Sequence, residues 1–324
     1  MADKASRALV IYGDGLAPHI SSSHSNLHSL ATRASCGFLS LRHSPPLSES
    51  MNAKGIGELA QLLDAHDAYM VWKGEQVDLD ANQDFKKDSM VQTISERFME
   101  LRAAIFTTCS SVESFGRSLG FSVLRFDELI KNDTHELLDA VSTASELLRL
   151  LGFSGGEILE RSDFDLVFLH VGDVEKAKDM KVGIANFDIE WINALVGGIL
   201  QIAQPGSVTA SRLHFSVVMS FGAVTKVEGD SYSTLISNNK TDSDLSLLCP
   251  HQSYTMKGGK LLNDMRHHHP MLVAQWQEAV TRRDMAGAFS FKEFKENGGN
   301  LTIPADRFLH EVAFKLWKAP KYGA

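Results

Sequence analysis

Cysteine is scarce in this chain: 324 residues hold three, Cys36, Cys109 and Cys249, widely spaced and never arranged as C-x-x-C. An odd, scattered set argues against a disulfide framework or a cysteine zinc site. No stretch approaches the ~20 consecutive apolar residues that a membrane-crossing helix needs. The opening MADKASRALVIYGDG has only a brief apolar run, too short for a signal-peptide core, so the cytoplasm is the expected location. Positive charge is not in excess either. Lys and Arg number 32 against 40 Asp and Glu, a net charge of −8, which gives no general attraction to nucleic acid or anionic membrane. Glycine-rich phosphate loops are missing: neither G-x-x-x-x-G-K-[ST] nor a proper G-x-G-x-x-G occurs, and no G-x-S-x-G elbow is present. ATP, dinucleotides and an elbow-type serine triad therefore have no support.

What is there is an ordinary globular composition, 44% hydrophobic and 22% charged. Three buried strands stand out: RALVIY (7–12), FDLVFLHV (164–171) and LHFSVVMS (213–220). CGFLSL (36–41), 69–72, 121–126 and 271–276 add shorter strand-like runs. Helical spacing marks 25–33, with Ser25 as its expected N-cap, and then 56–63, 90–104, 134–151, 184–202 and 307–318. Strands separated by helices predict an α/β fold, a mostly parallel central sheet with helices on both faces. The whole of 1–324 reads as one domain. The irregular stretch of about 73–150 has room for an inserted subdomain.

Open α/β sheets bind ligands outside the carboxyl ends of their strands, so chemistry is sought there. Asp14 stands between two glycines directly after the first strand, where a carboxylate can ligate a divalent metal or close an Asx-turn. His170 and Asp173 end the 164–171 strand. They offer a nitrogen and an oxygen to a metal, although alternation also allows His170 to be a hydrogen-bonded core histidine. His267, His268 and His269 form a run before Pro270, of which one or two side chains can reach a metal and which also reads as plain exposed loop. Ser48 lies in the loop SPPLSES, where a nucleophile would need a base or metal to activate it.

Together these segments resemble the alkaline-phosphatase-like superfamily, nearest its cofactor-independent phosphoglycerate mutase branch. VIYGDG (10–15) resembles the family's first strand and puts Asp14 on its metal-binding Asp. SNLHSLATRASCGFLSL (25–41) resembles the T-P-N-L-D-x-L-A stretch and the strand after it. PPLSES (45–50) resembles the nucleophile loop and puts Ser48 on the nucleophile. FDLVFLHVGDVEKA (164–177) puts His170 on the family's H-V histidine and Asp173 near a metal-binding Asp. His267 is the candidate for a later family histidine.

The departures carry as much weight. Where the family has T-x-D-H-G, with its Asp-His metal pair, this chain has Met219-Ser220-Phe221-Gly222. Neither Ser nor Phe replaces that pair at a tightly bound divalent metal. The resemblance therefore implies room for at most one divalent ion (Mn, Zn or Mg) at Asp14, Asp173, His170 and His267. The expected function is binding or scaffolding by a protein with a degraded metal site, its partner a small anionic ligand or another protein. The alternative is a metal-dependent hydrolase or mutase of phosphate or sulfate esters, with Ser48 as its catalytic nucleophile.

Overall fold

The computed structural model describes residues 5–43, 56–74, 92–125, 139–155, 157–159, 161–172, 189–222, 256–257, 260–261, 270–298 and 301–320. Strand β1 (Arg7–Gly13) reads as a continuous apolar run because both its faces are covered. It is followed by β2 (Ser35–Ser40), β3 (Ala103–Phe106) and β4 (Ser122–Leu124). A short hairpin, β5 (Phe153–Ser154) with β6 (Glu157–Ile158), comes before β7 (Leu166–Val171) and β8 (Leu213–Met219). A second hairpin, β9 (Met256–Lys257) with β10 (Lys260–Leu261), precedes β11 (Met271–Trp276) and β12 (Leu301–Pro304).

Eight of these strands form the main sheet, in the order β12-β2-β11-β8-β1-β7-β3-β4. β11 runs antiparallel to both β2 and β8. Every other pairing is parallel. β1 lies between β7 and β8, and its last residue, Gly13, pairs with Val171 on one side and Met219 on the other. Three strands therefore end side by side.

Alternation sorts the side chains between two apolar layers. Leu9 and Ile11 face a layer built with α1 (Ser25–Ala31), α6 (Ala140–Leu150), α7 (Ile189–Ile202) and α9 (Phe291–Asn297). Ala8, Val10 and Tyr12 face the other layer, with α2 (Ile56–Leu62), α3 (His66–Lys73), α4 (Ile94–Arg97), α5 (Ser110–Ser118) and α10 (Ala305–Lys315). The short α8 (Val208–Arg212) leads directly into β8. Helices thus cover both faces of the sheet, as the sequence pattern predicts. Within the stretch 73–150, β3 and β4 extend the main sheet beyond β7, and α6 packs against α7.

Some local expectations are corrected. Residues 69–72 belong to helix α3, which ends at Gly74 in a left-handed conformation. The run 90–104 is not one helix: α4 spans a single turn before Met99 and Glu100 take φ of 43° and 58° and the chain straightens into β3. Ser25 is the first helical residue rather than the N-cap. His24 holds the cap position without a side-chain cap bond, and its Nδ1 accepts from the Ser21 N–H at 2.8 Å. Among the described residues, no helix is long and apolar enough to cross a membrane.

Candidate functional site

The backbone first ties the three strand ends together. Asp14 N–H donates to the Val171 carbonyl at 2.8 Å, and Ser220 N–H donates to the Gly13 carbonyl at 2.9 Å. Ala17 N–H then reaches back to the Ser220 carbonyl at 2.9 Å. Ser220 is wholly buried, and its Oγ accepts from Gly15 N–H at 2.9 Å and donates to Asp14 Oδ1 at 3.3 Å. Gly222 follows at φ +64°, and a Cβ there would stand 3.1 Å from the Gly15 Cα. The turns after β1 and β8 are thus packed backbone to backbone, which only glycine permits at that distance and conformation.

Tyr12 and His170 point to the same side of the sheet, where α2 brings in Glu58. The Tyr12 hydroxyl lies 3.4 Å from Asp14 Oδ1 and 3.5 Å from Glu58 Oε2. Glu58 is buried, and its carboxyl is pushed up to about 7 by burial and then by the nearby charge of Asp14, against hydrogen bonds from Ser220 and Tyr12. Burial, Asp14 and Glu58 also hold the Tyr12 phenol well above its ordinary range, so it keeps its proton. One phenolic proton cannot serve two carboxylates. The Tyr12 hydroxyl therefore donates to one carboxylate at a time, and the raised Glu58 carboxyl eases the crowding of negative charge beside Asp14.

His170 is also buried. Its Nδ1 is 2.8 Å from Thr107 Oγ1, which itself accepts from Cys109 N–H at 3.0 Å. Among the described residues its Nε2 has no hydrogen-bond partner, and it stands 3.9 Å from Asp14 Oδ2. The imidazole is therefore both the hydrogen-bonded core histidine that alternation allows and a nitrogen aimed at the carboxylate. A nitrogen and an oxygen are ligand types for a divalent ion, although 3.9 Å is wider than adjacent positions around one ion. Among the described residues, no group of three or more His, Cys, Asp or Glu is placed to hold a metal.

The structure thus brings together Asp14 and His170 of the expected site. Ser48, Asp173 and His267 lie outside the described residues. Phe221 is packed in the apolar layer of α1 and α7. Sequence reasoning missed Glu58, Tyr12 and Thr107. The signal for Glu58 was an acid within the apolar helix run IGELAQL, and for Tyr12 a polar tip one residue before the strand end on the face that His170 shares.

No family model matches the chain, and no curated protein matches its sequence. Among solved structures it is similar to the PH0037 protein from Pyrococcus horikoshii, with 13% identity, all of both chains covered and a TM-score of 0.53. A protein in the alkaline phosphatase superfamily from Vibrio parahaemolyticus matches 87% of this chain and 62% of its own, at 11% identity and a TM-score of 0.42. A cofactor-independent phosphoglycerate mutase from Thermoplasma acidophilum matches 70% of this chain and 39% of its own, at 9% identity and a TM-score of 0.35. At such identities the likeness to the Pyrococcus horikoshii protein is one of fold. The fold is the mostly parallel, doubly covered α/β sheet that the alkaline-phosphatase-like resemblance implied, with the motif-bearing ends of β1, β7 and β8 side by side at its centre.

Proposed function

We propose that this chain is a divergent alkaline-phosphatase-like protein whose two-metal centre is degraded, and that it works by binding rather than by turnover. The observation that carries this reading is the fate of Ser220 and Phe221. At the positions where the resembled family has an Asp-His metal pair, this chain has a buried serine that bonds Gly15 N–H and Asp14, and a phenylalanine in the core. A phenylalanine offers no ligand atom, and a neutral serine hydroxyl already bonded to Gly15 and Asp14 does not supply the charge and nitrogen of an Asp-His pair. Two-metal ester chemistry relies on ions about 3.5–4 Å apart to offset charge on both attacking and leaving oxygens. With one pair of ligands gone, that balance fails.

Asp14 and His170 remain able to hold one divalent ion, Mn, Zn or Mg. Such an ion would supply a positive charge at the strand ends, suited to an anionic group on a small ligand or on a protein partner. The chain's own residues orient that site: Ser220 and Tyr12 hold Asp14, and Thr107 fixes the His170 ring.

A second reading, a metal-dependent hydrolase or mutase of phosphate or sulfate esters, draws support from the unpartnered His170 Nε2 facing Asp14. In that reading Ser48 is the nucleophile. A screen of phosphate and sulfate monoesters and diesters with added Mn, Zn or Mg separates the two. Binding without chemistry predicts no metal-dependent turnover. Turnover that disappears in Ser48→Ala would overturn it in favour of the hydrolase.

A further inference from the structure

The chain leaves β2 through a side-chain arrangement separate from the Asp14 site. β11 runs antiparallel to both β2 and β8, and β8 runs parallel to β1, so β2 points the same way as β1. Directly after β2, the buried Gln61 of α2 grips the backbone. Its Oε1 accepts from the Arg42 and His43 N–H groups at 2.9 and 3.0 Å, and its Nε2 donates to the His43 carbonyl at 3.0 Å. One amide thus satisfies three main-chain groups, as a neighbouring strand would.

The His43 ring lies flat on that of His66, the first residue of α3. Their centroids are 3.7 Å apart and their planes differ by 4°. A neutral pair stacks, and one imidazolium can rest over a neutral ring, but two imidazolium charges at this distance repel. Charged groups around the pair come from three elements: Arg42 after β2, Asp67 of α3 and Asp306 of α10. Arg42 and Asp306 pair at 3.1 Å, and Arg307 Nε lies 3.8 Å from the other Asp306 oxygen. Asp64, before α3, is held by Arg97 at 2.6 Å. Asp67 is exposed, so water screens the relief that it offers. Burial, and then Arg42, push the His43 imidazole below its ordinary value, against Asp67 and Asp306.

We propose that His43 and His66 form an acid-sensitive latch, which holds the chain leaving β2 against α2 and α3 while at most one of the two rings is protonated. A second proton separates the rings, and the Gln61 clamp opens with them. His43 is itself exposed, so the opening is local rather than a loss of the fold. The fold favours the neutral imidazole more than the unfolded chain does. The latch is therefore closed above the ordinary histidine value and weakens as pH falls through the lowered one. Glu58, on the same helix as Gln61, has its carboxyl pushed up to about 7 and acts in the opposite direction over an overlapping range. The decisive comparison is therefore between variants that leave Glu58 in place.

The test is hydrogen exchange of the full chain, followed amide by amide by NMR and corrected for intrinsic rates, at about pH 7.5 and about pH 5. Protection of the Arg42 and His43 amides should fall about tenfold in acid relative to the β1 amides. His66→Phe keeps a flat ring in the stack but cannot supply the second charge, so its protection should be the same at both conditions. His43→Phe should behave likewise. The ring protons of the unsubstituted protein give a reading that needs no variant: the pair should titrate in two separate steps. Equal losses in the unsubstituted protein and in both phenylalanine variants overturn the proposal, as does coincident titration of the two rings. A matching loss across β1 would mean that the whole fold loosens, and overturns a local latch too.

Discussion

At the residue scale, the Asp14 site is a problem in charge held away from water. Two carboxyl groups, Asp14 and Glu58, share one phenol, and no Lys or Arg hydrogen-bonds or ion-pairs with either among the described residues. Burial, and then the charge of Asp14, push the Glu58 carboxyl up from 4.5 to about 7, so the fold favours its protonated form more than the unfolded chain does. The sign for stability follows from linkage. Between these two values the unfolded chain releases a proton that the folded chain retains, so stability falls as pH rises through the window and levels off above it. Glu58→Gln, which is neutral at every pH, should remove that decline. Urea unfolding of both proteins across the window reads the difference. A stability difference that does not change with pH would show that Glu58 ionises in the fold as it does in the unfolded chain. Glu58 was not singled out from sequence because a single acid within an apolar helix run looks like the solvated edge of an amphipathic helix. Only the fold, by seating α2 over the end of β1, makes it buried.

At the element scale, the other end of the sheet is held by an ion pair rather than by a loop cluster. Arg102, just before β3, sends two nitrogens to Asp165, just before β7, at 2.6 and 3.2 Å, and a third to the Ser162 carbonyl at 2.7 Å. Arg7 and Lys318 each stand 3.9 Å from the same carboxylate. Burial alone would raise the Asp165 carboxyl, but hydrogen bonds from Arg102 outweigh it and the net shift is downward. An acid shifted this way stabilises the fold above its ordinary value and loses that contribution as pH falls through the lowered one. Asp165→Asn should therefore cost about 2 kcal/mol at neutral pH and close to nothing in acid. Half of the Arg102 side chain is exposed, which screens part of the pair and sets an upper bound on the loss. Chemical denaturation at the two conditions measures it; an equal loss in both would mean that packing, not charge, is what Asp165 supplies.

The same scale explains which elements were legible. β1, β7 and β8 are continuous apolar runs bounded by Gly, Asp or Ser, a pattern that buried parallel strands impose. Residues 69–72, part of α3, resemble a strand in sequence because YMVW is a short apolar run, and such runs do not reveal their period. The 90–104 stretch was read as a helix because Ile94, Phe98 and Leu101 are helically spaced. The capping box from Thr93 to Glu96 does start a helix there, and the left-handed Met99 and Glu100 stop it after one turn. Two non-glycine residues in that conformation are not signalled by composition, so tertiary packing decides the point.

At the scale of the whole molecule, sheet order explains why distant segments meet. β1, β7 and β8 lie side by side although more than 150 residues separate the first from the second. Asp14 and His170 could be paired from sequence because one follows and the other ends a recognisable buried strand. Thr107 could not, since β3 is four residues long and carries no bounding motif. The same arrangement places Ser220 and Phe221, at the end of β8, beside Asp14, which is why the proposed loss of a metal pair rests on these two positions. On the proposed reading, the site at Asp14 does not hold two metals. The direct measurement is elemental analysis of the protein after exposure to excess Mn, Zn and Mg followed by exhaustive dialysis. The account predicts at most one retained ion per chain, lost in Asp14→Asn; two tightly held ions per chain would contradict it.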